Sequence, residues 1–95
     1  MSDTVDHERR EIYFHGMVQG VGFRYTTRMI ASRFAVTGYV KNLPDGRVLL
    51  VAEGDGGEIQ RFLDSINLEL GHYIGHREEI AEPASGEFRR FDIRF

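Results

Sequence analysis

The stretch Val18-Gln19-Gly20-Val21-Gly22-Phe23-Arg24 places two glycines and one arginine within seven residues, with no acid among them. Glycine reaches positive φ without steric penalty and lets the main chain approach a ligand closely. A loop of this kind ahead of a helix can turn N–H groups that the helix cannot satisfy toward one point, a concavity of partial positive charge. Arg24 then adds a full charge whose planar fork matches two oxygens of a phosphate. The pattern lacks the Gly-Lys-Ser/Thr ending of a P-loop, and no magnesium ligand accompanies it. The ligand read from these residues is a small phosphate bound without nucleotide machinery. A lone Gly-x-Gly is weak evidence, and a plain tight turn is its commoner meaning. A second polar candidate, Asn42, stands just before Leu43-Pro44-Asp45-Gly46. Asn beside such a turn most often caps it; beside an anion site it can instead hold a water, though it cannot take the water's proton.

These residues need elements to position them. A polar, flexible tail is expected over 1–9. Glu11–Val18 then alternates Ile12 and Phe14 with Tyr13 and His15, the pattern of a half-buried strand. Phe23, Ile30 and Phe34, with Met29 beside them, predict a helix over about 23–34. Val36–Asn42 and Arg47–Glu53 predict a hairpin closed by the Pro-Asp-Gly turn, with Asn42 expected beside the end of the first strand. Ile59, Phe62, Leu63, Ile66 and Leu70 form one continuous helical stripe. Asp55 and Glu58 have capping-box spacing ahead of it, and Gly71 is a stop signal. A further strand is expected around His76–Ala81, a loop through Pro83–Gly86, and a last strand in which Phe91, Ile93 and Phe95 face one way. The order predicts an α+β fold of the ferredoxin-like, split βαβ kind. It has an antiparallel-type sheet with two helices on one face, in one domain over 10–95.

Composition narrows the function further. Ninety-five residues are enough for one hydrophobic core, and 41% hydrophobic residues describe a globular chain. Cysteine is absent, which removes disulfides, thiolate nucleophiles and cysteine-ligated metals. The net charge is −3, with eleven arginines and one lysine interspersed among the acids. That balance disfavours nucleic acid, whose binding needs a basic excess or stripe, and suits a small anion held by one or two arginines. No apolar run approaches membrane-spanning length, and the first ten residues lack the apolar core of a secretory signal. A cytoplasmic location, no membrane partner and a monomer are the expectations.

Gly16–Arg24, G-M-V-Q-G-V-G-F-R, and Gly38–Val48, G-Y-V-K-N-L-P-D-G-R-V, resemble the two signature motifs of the acylphosphatase family. The resemblance continues through Val51–Gly54 to the closing F-D-I-R-F, covering nearly everything after the polar tail. It implies hydrolysis of acyl phosphates to a carboxylate and inorganic phosphate, the latter both product and inhibitor. It places the phosphate-binding arginine on Arg24 and the water-orienting asparagine on Asn42. The cradle falls on the backbone of Val18, Gln19, Gly20, Val21, Gly22 and Phe23. The residue chemistry agrees. Neither motif supplies a general acid, which an ester's alkoxide leaving group would want. An acyl phosphate expels a stable carboxylate, so positioning and charge stabilisation suffice without metal or cofactor.

Two positions depart from the family's pattern. Gly22 stands where a larger side chain is frequent, which implies a more flexible cradle. Ala35 stands where a glycine usually follows the first helix; if that position needs positive φ, alanine costs about 1 kcal/mol. Other polar residues read as structural. His72 and His76 have i, i+4 spacing, but Gly71 and Gly75 argue against a helix to align them, so no metal site is expected. His15 reads as half-exposed, and Glu78, Glu79 and Glu82 as a solvated sheet edge. A base-stacking role for Tyr13, Phe14 and Tyr39 is the alternative from another class, and the charge balance opposes it.

Overall fold

A computed structural model describes residues 7–95 of the chain. Five strands and two helices alternate as β1 (His7–Gly16), α1 (Phe23–Ala31), β2 (Val36–Asn42), β3 (Val48–Asp55), α2 (Gly56–Leu70), β4 (Ile74–Pro83) and β5 (Phe91–Arg94). The sheet order is β4-β1-β3-β2-β5. β1 pairs antiparallel with β3 and β4, and β2 antiparallel with β3, as the ferredoxin-like expectation requires. β5 runs parallel to β2, so the sheet is mixed rather than wholly antiparallel.

Side-chain alternation divides the sheet into two faces. Ile12 and Phe14 of β1, Val36 and Val40 of β2, and Val48, Leu50 and Ala52 of β3 point toward the helices and join the core. Ile59, Phe62, Leu63, Ile66 and Leu70 of α2 meet them as one buried stripe. On α1 the buried stripe is Phe23, Thr27, Ile30 and Ala31, at i, i+4, i+7 and i+8. Thr27 therefore occupies the inward position, and Met29 is 71% exposed.

The ends of the elements show where local signals were outweighed. β1 begins at His7, so residues 7–9 of the expected tail belong to the sheet; residues 1–6 lie outside the described residues. Charged residues hold that stretch. Arg9 bridges Glu11, Glu53 and Glu87, and Arg10 bridges Glu8 and Glu79. α1 ends at Ala31 rather than Phe34 because the chain tightens into i→i+3 bonds, Arg33 N–H to Ile30 O and Phe34 N–H to Ala31 O. Asp55 caps α2 by accepting from Glu58 N–H at 3.1 Å. The box stays half-made, for the Glu58 carboxylate accepts from Ala35 N–H at 2.9 Å and pairs with Arg61. Gly71 does not stop the helix in a left-handed conformation: at φ −58° and ψ −30° it leads into a 3₁₀ turn over Gly71–Tyr73. Ala35 carries no strain, since among the described residues every positive φ belongs to a glycine.

The second face of the sheet carries no helix. The segment after β4 folds over one end of it, where Glu53 is only 4% exposed and Phe88 meets Tyr39 edge-on at 5.8 Å. Elsewhere on this face Arg47 lies over the Tyr13 ring at 4.7 Å and Arg94 over Tyr39 at 3.9 Å. Phe14 is fully buried on the opposite face. The bare aromatic platform that base stacking needs is therefore not present among Tyr13, Phe14 and Tyr39.

Candidate active site

The loop from Met17 to Gly22 joins β1 to α1 on the helix side of the sheet. Gly20 and Gly22 have φ of +80° and +75°, the left-handed region that favours glycine, and a Cβ on either would meet open space. These residues are therefore glycine for backbone conformation and not to avoid a clash with the protein. Gly22 is also the N-cap of α1, which has no side-chain cap and no acid in its first turn. The positive end of the helix is thus left for an outside acceptor. Among the described residues, no N–H from Val18 to Gly22 donates to a protein acceptor. Unpaired amides beside a helix N-terminus are what the expected cradle requires.

A cavity of about 140 Å³ opens over this loop. Gly20, Gly22, Arg24, Tyr25 and Asn42 border it, with Val18 and Phe23, whose side chains are buried in the core. Among the described residues no carboxylate lines it, so no side-chain negative charge there opposes an anion. Asn42 reaches it from another strand. It was expected beside the end of β1, but β3 lies between them: Phe14 pairs with Val48, and Val48 with Asn42. Asn42 shares the parity of Val40 and so emerges on the helix side, level with the end of β1. It does not cap the following turn. The Asp45 carboxylate does that, accepting from Arg47 N–H at 3.1 Å and Arg47 Nε at 2.8 Å. Among the described residues the Asn42 amide makes no hydrogen bond with the protein.

Family comparison settles what kind of protein this is. The acylphosphatase family profile matches residues 10–93. The chain belongs to the acylphosphatase family. A protein of Rubrobacter xylanophilus named acylphosphatase is 42% identical over 95 residues, covering 99% of this chain and 86% of its own. One from Lactobacillus johnsonii is 41% identical over 80 residues, covering 82% and 88%. The crystal structure of acylphosphatase from Bacillus subtilis superimposes with a TM-score of 0.83 at 30% identity, covering 93% of this chain and 99% of that one.

In this member of the acylphosphatase family, three supports of the cavity's lining carried little mark in the sequence. Gln19 was read only for its backbone, yet its side chain ties the loop to the β2–β3 hairpin. Its Nε2 donates to Leu43 O at 2.8 Å and Arg47 O at 2.9 Å. Two bonds from one amide fix the loop without using the loop's own N–H groups. Met17 N–H donates to Tyr73 O at 2.9 Å, anchoring the loop's other end to the 3₁₀ turn. Arg24 is positioned by β5: its Nη1 donates to Arg94 O at 3.3 Å, and the Phe95 ring lies 4.7 Å from its guanidinium. A held guanidinium loses less rotamer freedom on meeting a ligand than a free one. The only hint in sequence was the apolar alternation of the last strand, which says nothing about which strand it joins.

Proposed function

We propose that this chain hydrolyses acyl phosphates, with Arg24 and the Val18–Phe23 backbone binding the phosphate and Asn42 placing the water. The net reaction is R–CO–O–PO₃²⁻ + H₂O → R–COO⁻ + H₂PO₄⁻. Membership of the acylphosphatase family supplies the reaction class. The observation that supports the residue roles is that one cavity is bordered by Arg24, by Asn42, whose amide has no protein partner among the described residues, and by a loop whose Val18–Gly22 N–H groups have no protein acceptor among them. The amides and guanidinium stabilise charge on the phosphoryl oxygens as the bond to the carboxylate lengthens. The water's oxygen attacks phosphorus, and its proton passes to a phosphate oxygen of the substrate. The electron pair of the broken P–O bond leaves with the carboxylate, which needs no acid and no metal. Inorganic phosphate fits the same cradle and so acts as product and inhibitor.

At about 140 Å³ the cavity is well below the roughly 300–1,000 Å³ of pockets that enclose drug-sized ligands. It recognises the phosphate and leaves the acyl group at the mouth, beside Tyr25. Among the described residues no helix is long and apolar enough to cross a membrane. A monomer in the cytoplasm, acting on small molecules and not on nucleic acid, is consistent with the charge balance.

The deciding experiment is Asn42→Ala. A positioned nucleophile is worth several kcal/mol of barrier, so turnover of benzoyl phosphate should fall roughly a hundredfold or more. The phosphate inhibition constant should stay within a few-fold of the parent, because the cradle is untouched. A fully active Asn42→Ala protein would remove Asn42 from the mechanism.

A further inference from the structure

We propose that His15, His76 and Glu78, brought together by the β1–β4 register on the helix-free face of the sheet, form a binding site for a zinc-type divalent metal ion. The site lies outside the catalytic cavity. His15 and His76 are direct cross-strand partners, and Glu78 follows two residues along β4 on the same face. The two imidazole centroids are 4.9 Å apart, and His15 Nε2 is 3.1 Å from Glu78 Oε1. One ligand atom from each of the three lies within 4.8 Å of the others.

A tetrahedral ion at about 2.0–2.1 Å from nitrogen and oxygen ligands sets those ligands roughly 3.3 Å apart. The His15–Glu78 edge is already near that spacing. Closing the third corner takes a rotation of the exposed His76 ring and no movement of the paired strands. Two imidazoles and one carboxylate leave a fourth position for water. Imidazole nitrogen selects zinc, copper or nickel over magnesium and calcium, which want a shell of oxygens. A positive charge that acts on Glu78 is Arg47, the residue just before β3. Its guanidinium is engaged by Asp45, with Nε 2.8 Å from Oδ2, and so is partly neutralised. The sequence suggested a different histidine pair. His72 precedes β4 and lies in the 3₁₀ turn, whereas the partner His76 finds across the sheet is His15.

The site joins β1 to the edge strand β4 at a register irregularity between His15 and Gly16, directly before the phosphate loop. A bound ion there would tie two strands together without entering the reaction. Its expected effect is on stability, since a ligand that binds only the folded state raises the thermal midpoint.

The test is zinc titration of the whole chain by calorimetry at neutral pH. One ion should bind per chain. His15→Ala and His76→Gln should each weaken binding by roughly tenfold or more, the scale of losing a ligand or its support. His72→Ala, a histidine outside the cluster, should leave binding unchanged. Zinc should raise the thermal midpoint of the parent and not of His76→Gln, and EDTA should leave turnover of an acyl phosphate unaltered. Circular dichroism confirms that each variant is folded. Absence of binding, or an equal loss in His72→Ala, would reduce the trio to a surface hydrogen bond.

Discussion

Two loops of this molecule use the same chemistry to opposite ends. The loop around Gly20 and Gly22 and the loop around Gly86 each carry glycine at positive φ, and they differ in what their main-chain N–H groups meet. In the second loop they meet an acid of the protein. Glu53 accepts from Ser85 N–H at 2.9 Å, Ser85 Oγ at 2.7 Å and Gly86 N–H at 2.9 Å, with Arg9 Nη1 at 3.3 Å. In the first loop the Val18–Gly22 amides have no acceptor among the described residues, and the fixing bonds come instead from the Gln19 side chain and from Met17 N–H at the loop's start. The difference separates folding from function. An internal carboxylate turns such a nest into a structural joint. Withholding it, while holding the loop by another route, leaves a site for an anion from outside.

Arg24→Ala breaks the functional side of this comparison most severely. It removes the full positive charge bordering the cavity, and a loss of roughly a thousandfold in kcat/KM is expected, the scale of deleting one strong oxyanion donor. Phosphate inhibition should weaken with it, and Arg24→Lys should recover little, because a point charge does not reproduce the fork. Steady-state kinetics on a benzoyl phosphate series with and without added phosphate measure both. Near-normal phosphate inhibition in folded Arg24→Ala would overturn the assignment.

Glu53→Gln breaks the structural side. A glutamine offers one acceptor where the carboxylate offers two, and its NH₂ faces donors. Hydrogen bonds to a buried charge contribute about 1.5–3 kcal/mol, so a stability loss of that order is expected in urea unfolding. Turnover per folded molecule should stay within a few-fold of the parent.

Acid titration sharpens the same contrast without changing a residue. Burial raises the Glu53 carboxyl, but hydrogen bonds from Ser85, Gly86 and Arg9 outweigh it and hold the group below its ordinary value. A folded value below the unfolded one means the stabilisation is complete above the unfolded pKa and is lost as pH falls through the folded one. The thermal midpoint of the parent should therefore drop on acidification, and that part of the drop should be missing in Glu53→Gln. Equal acid profiles for the two proteins would count against Glu53 as the joint.

The smallest effects come from the glycines. Alanine at Gly20 or Gly86 meets nothing in the protein but must adopt positive φ, costing about 1 kcal/mol at either place. Thermal unfolding should show the two variants alike. Only Gly20→Ala should also slow turnover, because its methyl group stands where the main chain borders the ligand cavity. Equal turnover in both would mean that the cradle does not approach the phosphate at Gly20.

The sequence disclosed this fold wherever a pattern was local and apolar. β2 runs over the predicted residues, and the α2 stripe is buried throughout. Arg24 and Asn42 do border one cavity with the Gly20–Gly22 loop. What stayed hidden depends on pairing between distant segments. His7–Arg9 look like a polar tail until the acidic partners of Arg9 on β3, β4 and the following loop are in place. Gly71 looks like a left-handed stop, yet the chain continues into a turn whose Tyr73 carbonyl is needed by Met17. Gln19 and Arg94 carry no local mark of their roles, since each acts on a segment far away in the chain. The His15–His76 pairing is likewise a property of register, which spacing along one strand cannot reveal.

The Arg24–Arg94 contact spans 70 positions of the chain, and β5 reaches it only by pairing with β2. During synthesis the glycine loop, α1 and the β2–β3 hairpin leave the ribosome well before the carbonyl that steadies Arg24. A partly made chain can thus possess the loop and the arginine while lacking the support that aims one at the other. Long-range strand pairing of this kind is slow to form, because its loop-closure entropy must be met before the contact gives anything back. The hold on Arg24 is thus among the later contacts of the fold to form, made only once β5 has paired with β2.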